Sequence, residues 1–530
     1  MTDRNSHPAP EPHPQSEPSD AQIPLADLIR IRYQKACDLQ ARGINPYPYR
    51  YDRDHEIAAL LADFDTLAER QTAVRIAGRV MLIRKMGKVF FADLRDQSDR
   101  IQIYLKIDTV GEDQFRLFDA VDLGDIVGCE GTLFVTRTGE RTLNVRRFEL
   151  LTKALHPLPD KRAGLTDVEM RYRRRYADLI ANPEVRVTFL KRTAIVQAIR
   201  DFFNRRGFLE VETPILQPIY GGASARPFKT HHHKLDEDMY LRIADELYLK
   251  RLIVGGFEKV WEYCKDFRNE GMDRLHNPEF SMVEAYWAYA DYRDMARLVE
   301  ELVRHVAFAV HGAYRFTYGE REIDVAPPFR WVSMVDSIRE AAGLDLMALS
   351  YEQARAEAKK MHLPDEDLTN WGKCVEAIWE AKVEPTLVQP TFIADFPREI
   401  SPLAKVHREN PRLAERFELF IAGQETANAF SELNDPVDQL RRFIEQGKAL
   451  AAGDEEAQPL DDDFITALTY GMPPTAGLGL GVDRFVMLLT NQHTIREVLL
   501  FPQMKRELAD GAVPVSRILA RIIGADKETP

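Results

Sequence analysis

Between Gly477 and Gly481 every second residue is glycine, with Leu478 and Leu480 between them, and Val482, Asp483 and Arg484 follow directly. Alternation at period two belongs to an extended strand. Such a strand puts all three glycines on one side, leaving a bare floor on which a flat ligand can approach the backbone. Arg484 then falls at the start of a helical run through Met487 and Leu488, near the positive end of its dipole. The spacing fits neither the GxxxxGK[ST] phosphate loop nor a dinucleotide-binding fingerprint, and taken alone it also suits a structural packing strand.

A chain of 530 residues is too long for one hydrophobic core, and its hydrophobic period divides it. Residues 1–20 carry five prolines among polar residues and read as a disordered tail. Residues 21–72 turn helical, with Leu25, Leu28, Ile29, Ala36 and Leu39 in phase and Gly43, Pro46 and Pro48 ending the run. Residues 73–152 alternate in short pieces separated by turn residues, the pattern of a small antiparallel barrel and a plausible platform for single-stranded nucleic acid. Residues 153–182 form a basic linker containing Lys161, Arg162, Arg171, Arg173, Arg174 and Arg175, either a solvated helix or a bed for a phosphate backbone. Residues 183–523 mix helical and alternating segments, so an α+β region on a mostly antiparallel sheet is expected, with 524–530 as a tail.

Composition narrows the classes. Lysine and arginine number 71 against 84 acidic residues, for a formal charge of -13, which argues against coating DNA through bulk charge and leaves room for a local basic patch. Cys37, Cys129, Cys264 and Cys374 lie far apart without a CxxC pair, against a disulfide scaffold, a zinc ribbon or an iron–sulfur cluster. No apolar run nears the ~18 residues that span a bilayer, and no secretion signal opens the chain. A cytoplasmic protein without membrane contact is expected.

Three clusters can carry chemistry. Arg268 and Glu270 stand two apart at the end of a strand and share a face; a fixed guanidinium there can hold a carboxylate or phosphate bidentately. An isolated pair of this kind is also the pattern of a surface ion pair. A polar loop containing His276 and Asn277 returns into a strand at Phe280, along which Glu284 and Tyr286 share a face. Glu418, Gly423 and Glu425 predict a hairpin that brings two carboxylates together, which suits Mg²⁺ shared with phosphate oxygens, although a solvated acidic strand has the same pattern. Asn428 and Glu432 share a face further on. The run from His231 to His233 points adjacent imidazoles apart and has no partner at zinc spacing, so no metal is expected there.

Taken together, GFLEVETP at 207–214, FRNE at 267–270 and the glycine strand with Arg484 resemble the three ordered motifs of class II aminoacyl-tRNA synthetases. GGASARPF at 221–228, ELYLKR at 246–251, HNPEF at 276–280 and NAFSELN at 428–434 are similar to the bacterial-type lysyl-tRNA synthetase family. The resemblance runs from about residue 25 to 505. It implies an N-terminal OB-fold barrel that binds the anticodon, a class II catalytic domain on an antiparallel sheet flanked by helices, and a homodimer through the first motif. The implied activity is two-step: L-lysine and ATP give lysyl-adenylate and pyrophosphate, then lysine passes to the 3′ end of tRNA(Lys).

By position, the resemblance makes Arg268, Glu270 and Arg484 catalytic. It gives ATP to Arg268, Glu270, His276, Asn277, Phe280, Glu425 and Arg484, and Mg²⁺ to Glu418 and Glu425. Lysine falls to Gly222, Glu246, Arg268, Glu284, Tyr286, Asn428 and Glu432, with Glu432 and Tyr286 at the ε-amine and Glu246 and Gly222 at the α-amine. In the barrel, Arg84, Phe91, Gln102 and Glu140 would meet the anticodon, Phe91 as a stacking shelf unless it is a core aromatic. Two other readings stay open at this point: a class II relative specific for aspartate or asparagine, which would need cations around the side chain, and a non-catalytic nucleotide-binding paralogue.

Overall fold

The computed structural model describes residues 23–159, 165–326, 328–365, 368–451, 458–505 and 513–525. The stretch read as a disordered tail, Lys161 and Arg162 of the basic run, and 526–530 lie outside the described residues. The chain divides into two compact units, Met1–Leu165 with Arg506–Pro530, and Thr166–Lys505.

In the first unit, helix α1 (Leu25–Ala41) buries Leu28, Ile29, Arg32, Ala36 and Leu39 along one side. Gly43 takes the left-handed conformation that ends it. Arg32 is buried without being stranded, because its guanidinium donates to the carbonyls of Leu123 (3.0 Å) and Ala154 (3.2 Å). Five strands then close into a barrel: β1 (Val74–Met86), β2 (Val89–Arg95), β3 (Arg100–Lys106), β4 (Ile126–Val135) and β5 (Arg141–Thr152), in the order β1-β2-β3-β5-β4. Only β3 and β5 run parallel. Ile101, Ile103 and Leu105 fill the interior while Gln102 and Tyr104 between them face out. The helix Val515–Ile522, read from sequence as part of the second region, belongs to this unit instead and packs on α1. Its apolar residues follow a helical period, which says nothing about which core they join.

In the second unit, after short helices over Val168–Arg173 and Arg175–Ala181, helix α2 (Pro183–Arg205) buries Ile195, Ile199, Phe202 and Phe203 and is closed by Gly207 (φ +76°). Strand β6 (Leu209–Glu210) is shorter than the alternation of 208–212 suggests. Its continuation is diverted: the Thr213 amide and hydroxyl both donate to the Glu262 carboxylate instead of a neighbouring strand. Strands β7 (Leu216–Gln217), β8 (Lys229–His232) and β9 (Glu237–Leu241) make a small separate sheet. Within it His231 bonds the Asp238 carboxylate on the paired strand, as an ordinary cross-strand pair.

The main sheet adds β10 (Lys259–Phe267), β11 (Glu279–Ala288), the hairpin β12 (Arg315–Tyr318) and β13 (Arg321–Asp324) beside it, β14 (Arg330–Ser333), β15 (Thr391–Pro397), β16 (Leu413–Ile421), β17 (Gln424–Ser431) and β18 (Thr475–Gly481). Its order is β14-β15-β16-β17-β18-β11-β10-β6, antiparallel except at the two edge pairs. One face is apolar: Val283, Ala285, Ala427, Ala429, Leu478 and Leu480 pack with α2 and with helices over Tyr292–His311 and Val482–Thr490 into one core. The alternate residues of the same strands form the other face. Across it, register sets Glu262, Glu284, Gly479, Asn428 and Glu418 in one row, and Tyr286, Gly477 and Phe430 in the next.

Three of the described cations of the basic stretch are engaged by the protein's own carboxylates. Arg173 pairs with Glu169, and Arg171 and Arg175 pair with Asp178. Arg175 is wholly buried and also donates to the carbonyls of Arg496, Leu499 and Leu500. These cations hold the second unit together, and only their number was visible in the sequence.

Candidate active site

The polar face of the sheet floors a cleft of about 670 Å³ lined by β11, β17, β18 and the loops beside them. Of the residues singled out above, Gly222, Glu246, Arg268, Glu270, His276, Asn277, Phe280, Glu284, Tyr286, Glu425, Asn428 and Arg484 all reach it. Glu418 and Glu432 lie just behind its wall.

At one end a fixed set of polar groups surrounds an open space. Arg268 follows the last residue of β10, and its backbone amide donates to Pro278 (2.9 Å), which closes the base of the 268–278 loop. Its guanidinium lies 5.0 Å from the Phe280 ring centroid. Asp273 organises the loop tip, accepting from the Leu275 and His276 amides and bonding His276 Nδ1 at 2.8 Å. With Nδ1 given to Asp273, His276 Nε2 is left to accept from Arg484 (3.0 Å). Arg484 also donates to the Glu425 carboxylate (3.0 Å). Asn277 is used locally, donating to the Glu279 carbonyl and accepting from the Gln503 amide.

Glu425 reaches the cleft because the β16–β17 hairpin turns through Ala422 and Gly423, both at positive φ. Glu418 faces the same side from β16. Its carboxyl is pushed up to about 8, by burial first, with Arg416 opposing and the charge of Glu425 adding. Arg416 bonds both Glu418 (2.5 Å) and Asn428 Oδ1 (3.1 Å).

At the other end the walls are acidic. Glu246 begins helix α3 (Glu246–Val254) and is buried. Gly222 packs against it with φ +89°, and a β-carbon there would sit 3.1 Å from those of Ala244 and Glu246. Tyr286 donates to Glu284 at 2.8 Å, so the hydroxyl assigned from sequence to the ε-amine beside Glu432 is engaged by its strand neighbour. Glu432 is 1% exposed. The Lys250 ammonium, itself fully buried, bonds Glu246 (2.5 Å) and makes an ion pair with Glu432. Burial pushes the Glu432 carboxyl up to about 8 despite Lys250, and Glu246 adds to the effect.

Sequence reasoning missed Lys250 and Arg416. Lys250 stands four residues after Glu246, the spacing of a helical ion pair, and Arg416 two before Glu418, the spacing of a shared strand face. Both signals were present. Beneath Glu284, Asp245, Cys264 and Asp266 form a further buried cluster. Neither Asp245 oxygen has a hydrogen-bond partner, and burial with the neighbouring Asp266 and Glu262 charges raises its carboxyl well above the usual range.

In the barrel, Phe90 points inward and Phe91 outward, half-buried. Phe91 lies opposite Arg84 on β1 and Tyr104 on β3, with ring centroids 5.1 Å apart for Phe91 and Tyr104 and 5.6 Å for Tyr104 and Phe134. Gln102 accepts from the Thr142 hydroxyl beside this row, and Glu140 pairs with Arg100.

A family model described as class II tRNA synthetases (D, K and N) matches residues 167–505, and one described as an OB-fold nucleic acid binding domain matches residues 74–151. The chain belongs to the class II tRNA synthetases. Among the relatives of this synthetase, the lysine–tRNA ligase of Carboxydothermus hydrogenoformans is 52% identical over 91% of this chain and 98% of its own length. The lysine–tRNA ligase of Bacillus subtilis is 51% identical over 91% and 98%, and that of Thermoanaerobacter pseudethanolicus 52% over 91% and 96%. Within its family this synthetase stands with the lysine–tRNA ligases. Among the described residues no helix is long and apolar enough to cross a membrane.

Proposed function

We propose that this synthetase is a lysine–tRNA ligase, joining L-lysine to ATP as lysyl-adenylate and passing the lysyl group to tRNA(Lys). The observation that carries this reading is the cleft's polarity: carboxylates at Glu246 and Glu284 line one end with Glu432 just behind them, and the guanidiniums of Arg268 and Arg484 line the other. A long aliphatic cation fits the first and a triphosphate the second. An aspartate or asparagine side chain would meet carboxylates where it needs donors.

The chemistry follows from placement. The lysine carboxylate is already ionised, so attack on the α-phosphorus needs no general base, and alignment and charge stabilisation carry the step. Arg268 sits where it can hold that carboxylate and the α-phosphate together, neutralising charge as the pentacovalent centre forms. Phe280 and the bare strand at Gly479 and Gly481 bracket a flat base, with Arg484 over its other side and Glu270, His276 and Asn277 around the nucleotide. Glu246 and the Gly222 carbonyl take the α-ammonium, and Glu432 takes the ε-ammonium, with Tyr286, Glu284 and Asn428 completing the wall.

Glu418 and Glu425 fit Mg²⁺: the charge of Glu425 adds to the burial that raises the Glu418 carboxyl, and hard oxygen donors suit an ion shared with phosphates. When bound, the ion would supply neutralisation of pyrophosphate charge. The outward row of Phe91, Tyr104 and Phe134, with Arg84, Gln102 and Glu140 around it, is a surface on which anticodon bases can stack. Pairing as a homodimer is supported by apolar side chains left exposed on α2 and the segment after it, Val187 (50%), Leu190 (60%) and Leu216 (46%). We assign the enzyme to the cytoplasm, where its tRNA substrate is used.

The test is amino-acid-dependent ATP–pyrophosphate exchange across all twenty amino acids. Lysine should stimulate exchange far above the rest; stimulation by aspartate or asparagine alone overturns the assignment.

A further inference from the structure

Lys250 is unusual among the charged groups of the cleft. It is fully buried, one turn into α3, with its ammonium between Glu246, proposed to take the α-amine of the substrate, and Glu432, proposed to take the ε-amine. No solvent reaches it, and a lysine ammonium taken out of water without compensation is costly. A hydrophobic residue of similar length would fill the same space without that cost, so the charge itself needs a reason.

The reason lies in the pocket's charge count. The amino-acid end holds three carboxylates, Glu246, Glu284 and Glu432. Of the surrounding charges, Arg416 pairs with Glu418, and Arg242 faces both Glu262 and Asp266. Asp245, whose carboxylate oxygens have no hydrogen-bond partner, is pushed toward its neutral form by burial and by the charges of Asp266 and Glu262. Arg268 faces the substrate carboxylate.

We propose that Lys250 sets the specificity of the amino-acid pocket by fixing its charge: held between Glu246 and Glu432, its ammonium favours the carboxylate form of both, so that each can meet one ammonium of lysine. This rests on the lysine reading above and deepens it. A substrate with a neutral tip supplies one ammonium and leaves a buried charge uncompensated, so it is rejected by electrostatics and not by size alone. Without Lys250 the Glu432 carboxyl, raised by burial even beside that ammonium, would hold its proton more tightly still. Glu432 is faced by Lys250 and Glu246 from α3, Tyr286 and Glu284 from β11, and Gly477 from β18. A protonated Glu432 binds an ammonium poorly and tolerates a methyl group.

The experiment compares wild type, Lys250→Gln, Lys250→Met and Lys250→Arg as full-length proteins in pyrophosphate exchange, with lysine and with norleucine, from pH 6.5 to 9. Lys250→Gln removes the charge while keeping a polar N–H donor one atom short of the lysine ammonium, so it reports even where Lys250→Met does not fold. It should raise the KM for lysine about tenfold or more and leave the KM for ATP within about twofold. It should also narrow the preference for lysine over norleucine by about tenfold, and move the lysine pH profile upward by about one unit. Lys250→Arg, which keeps the charge, should retain most of the preference. Equal loss with both amino acids, an unchanged pH profile, or a Lys250→Arg protein as unselective as Lys250→Gln overturns the proposal. A wild-type enzyme that does not favour lysine at all overturns the underlying assignment instead.

Discussion

The α-carbon of Gly477 faces the Glu432 carboxylate so closely that a β-carbon built on it would stand 1.9 Å from Oε1 and 2.7 Å from Cε1 of Tyr286. Neither neighbour can retreat, since both are buried and Glu432 is tied to Lys250. Gly477→Ala should therefore displace the ε-ammonium site and cut lysine-dependent exchange by about 10²-fold, the cost of an ångström-scale misplacement. Gly479→Ala, two residues on, meets only ordinary contacts, Met282 at 3.4 Å and Glu284 at 3.6 Å. Thermal unfolding should fall for the first and barely move for the second; equal effects would mean the close approach at Gly477 has no special role.

Lysine binding should release a proton. In the empty pocket the Glu432 carboxyl is pushed up to about 8, with burial as the main cause, Lys250 opposing and Glu246 adding. The substrate's ε-ammonium, with a pKa of about 10.4, stays charged throughout this range and needs the carboxylate form. Protonated Glu432 must therefore lose its proton to bind, so affinity rises with pH up to about 8 and levels off above it. Below that point the fall approaches about tenfold per pH unit. Calorimetry at pH 7 in buffers of different ionisation enthalpy should count nearly one proton released, and none would refute the assignment of Glu432.

Asp245 and Asp266 make the fold weaker at higher pH. Both carboxyls are raised in the native state by burial first, Asp245 further by the charges of Asp266 and Glu262, and Asp266 to about 6 against the opposing charges of Arg242 and Arg268. A carboxyl raised above its unfolded value contributes stability in full below the unfolded pKa of 3.8, and that contribution is lost as pH climbs through the folded value. Asp245→Asn removes one of the two titrating carboxyls at constant shape, and should flatten this decline and add about 1–3 kcal/mol at pH 8. Urea unfolding at pH 5 and pH 8 measures it; a variant less stable than wild type at pH 8 would contradict it.

Phe91→Ala should separate the two half-reactions. A stacked base is worth about 1–3 kcal/mol, so tRNA charging at limiting tRNA should drop by roughly 5- to 150-fold while pyrophosphate exchange stays within about twofold. Tyr104→Ala, in the same aromatic row, should behave alike. Unchanged charging in both would remove the row from the anticodon surface.

Much of this could be read from the chain, and the parts that could not share a cause. The alternation of 477–481 gave a strand with one bare face, and Gly423 gave the hairpin that turns Glu425 into the cleft, because period and turn chemistry are local properties. The spacing of Arg268, Glu284, Asn428 and Arg484 placed them on faces, and sheet register then brought those faces together. Lys250 and Arg416 went unassigned because their role depends on which carboxylates surround them after folding. The same blindness misread Arg171 and Arg175: a run of cations looks the same whether it meets phosphates or Asp178. Tyr286 and Glu284 were read as sharing a face, and the hydrogen bond between them follows from that placement.

Arg175 ties together parts of the second unit that are far apart in sequence. By gripping the carbonyls of residues 496, 499 and 500 from a helix near residue 175, it clasps the first and last turns of that body with a single side chain. The two extremities cannot fray separately: a protease that finds the front loosened should find the back loosened too, and the cleft between loses its frame in the same event.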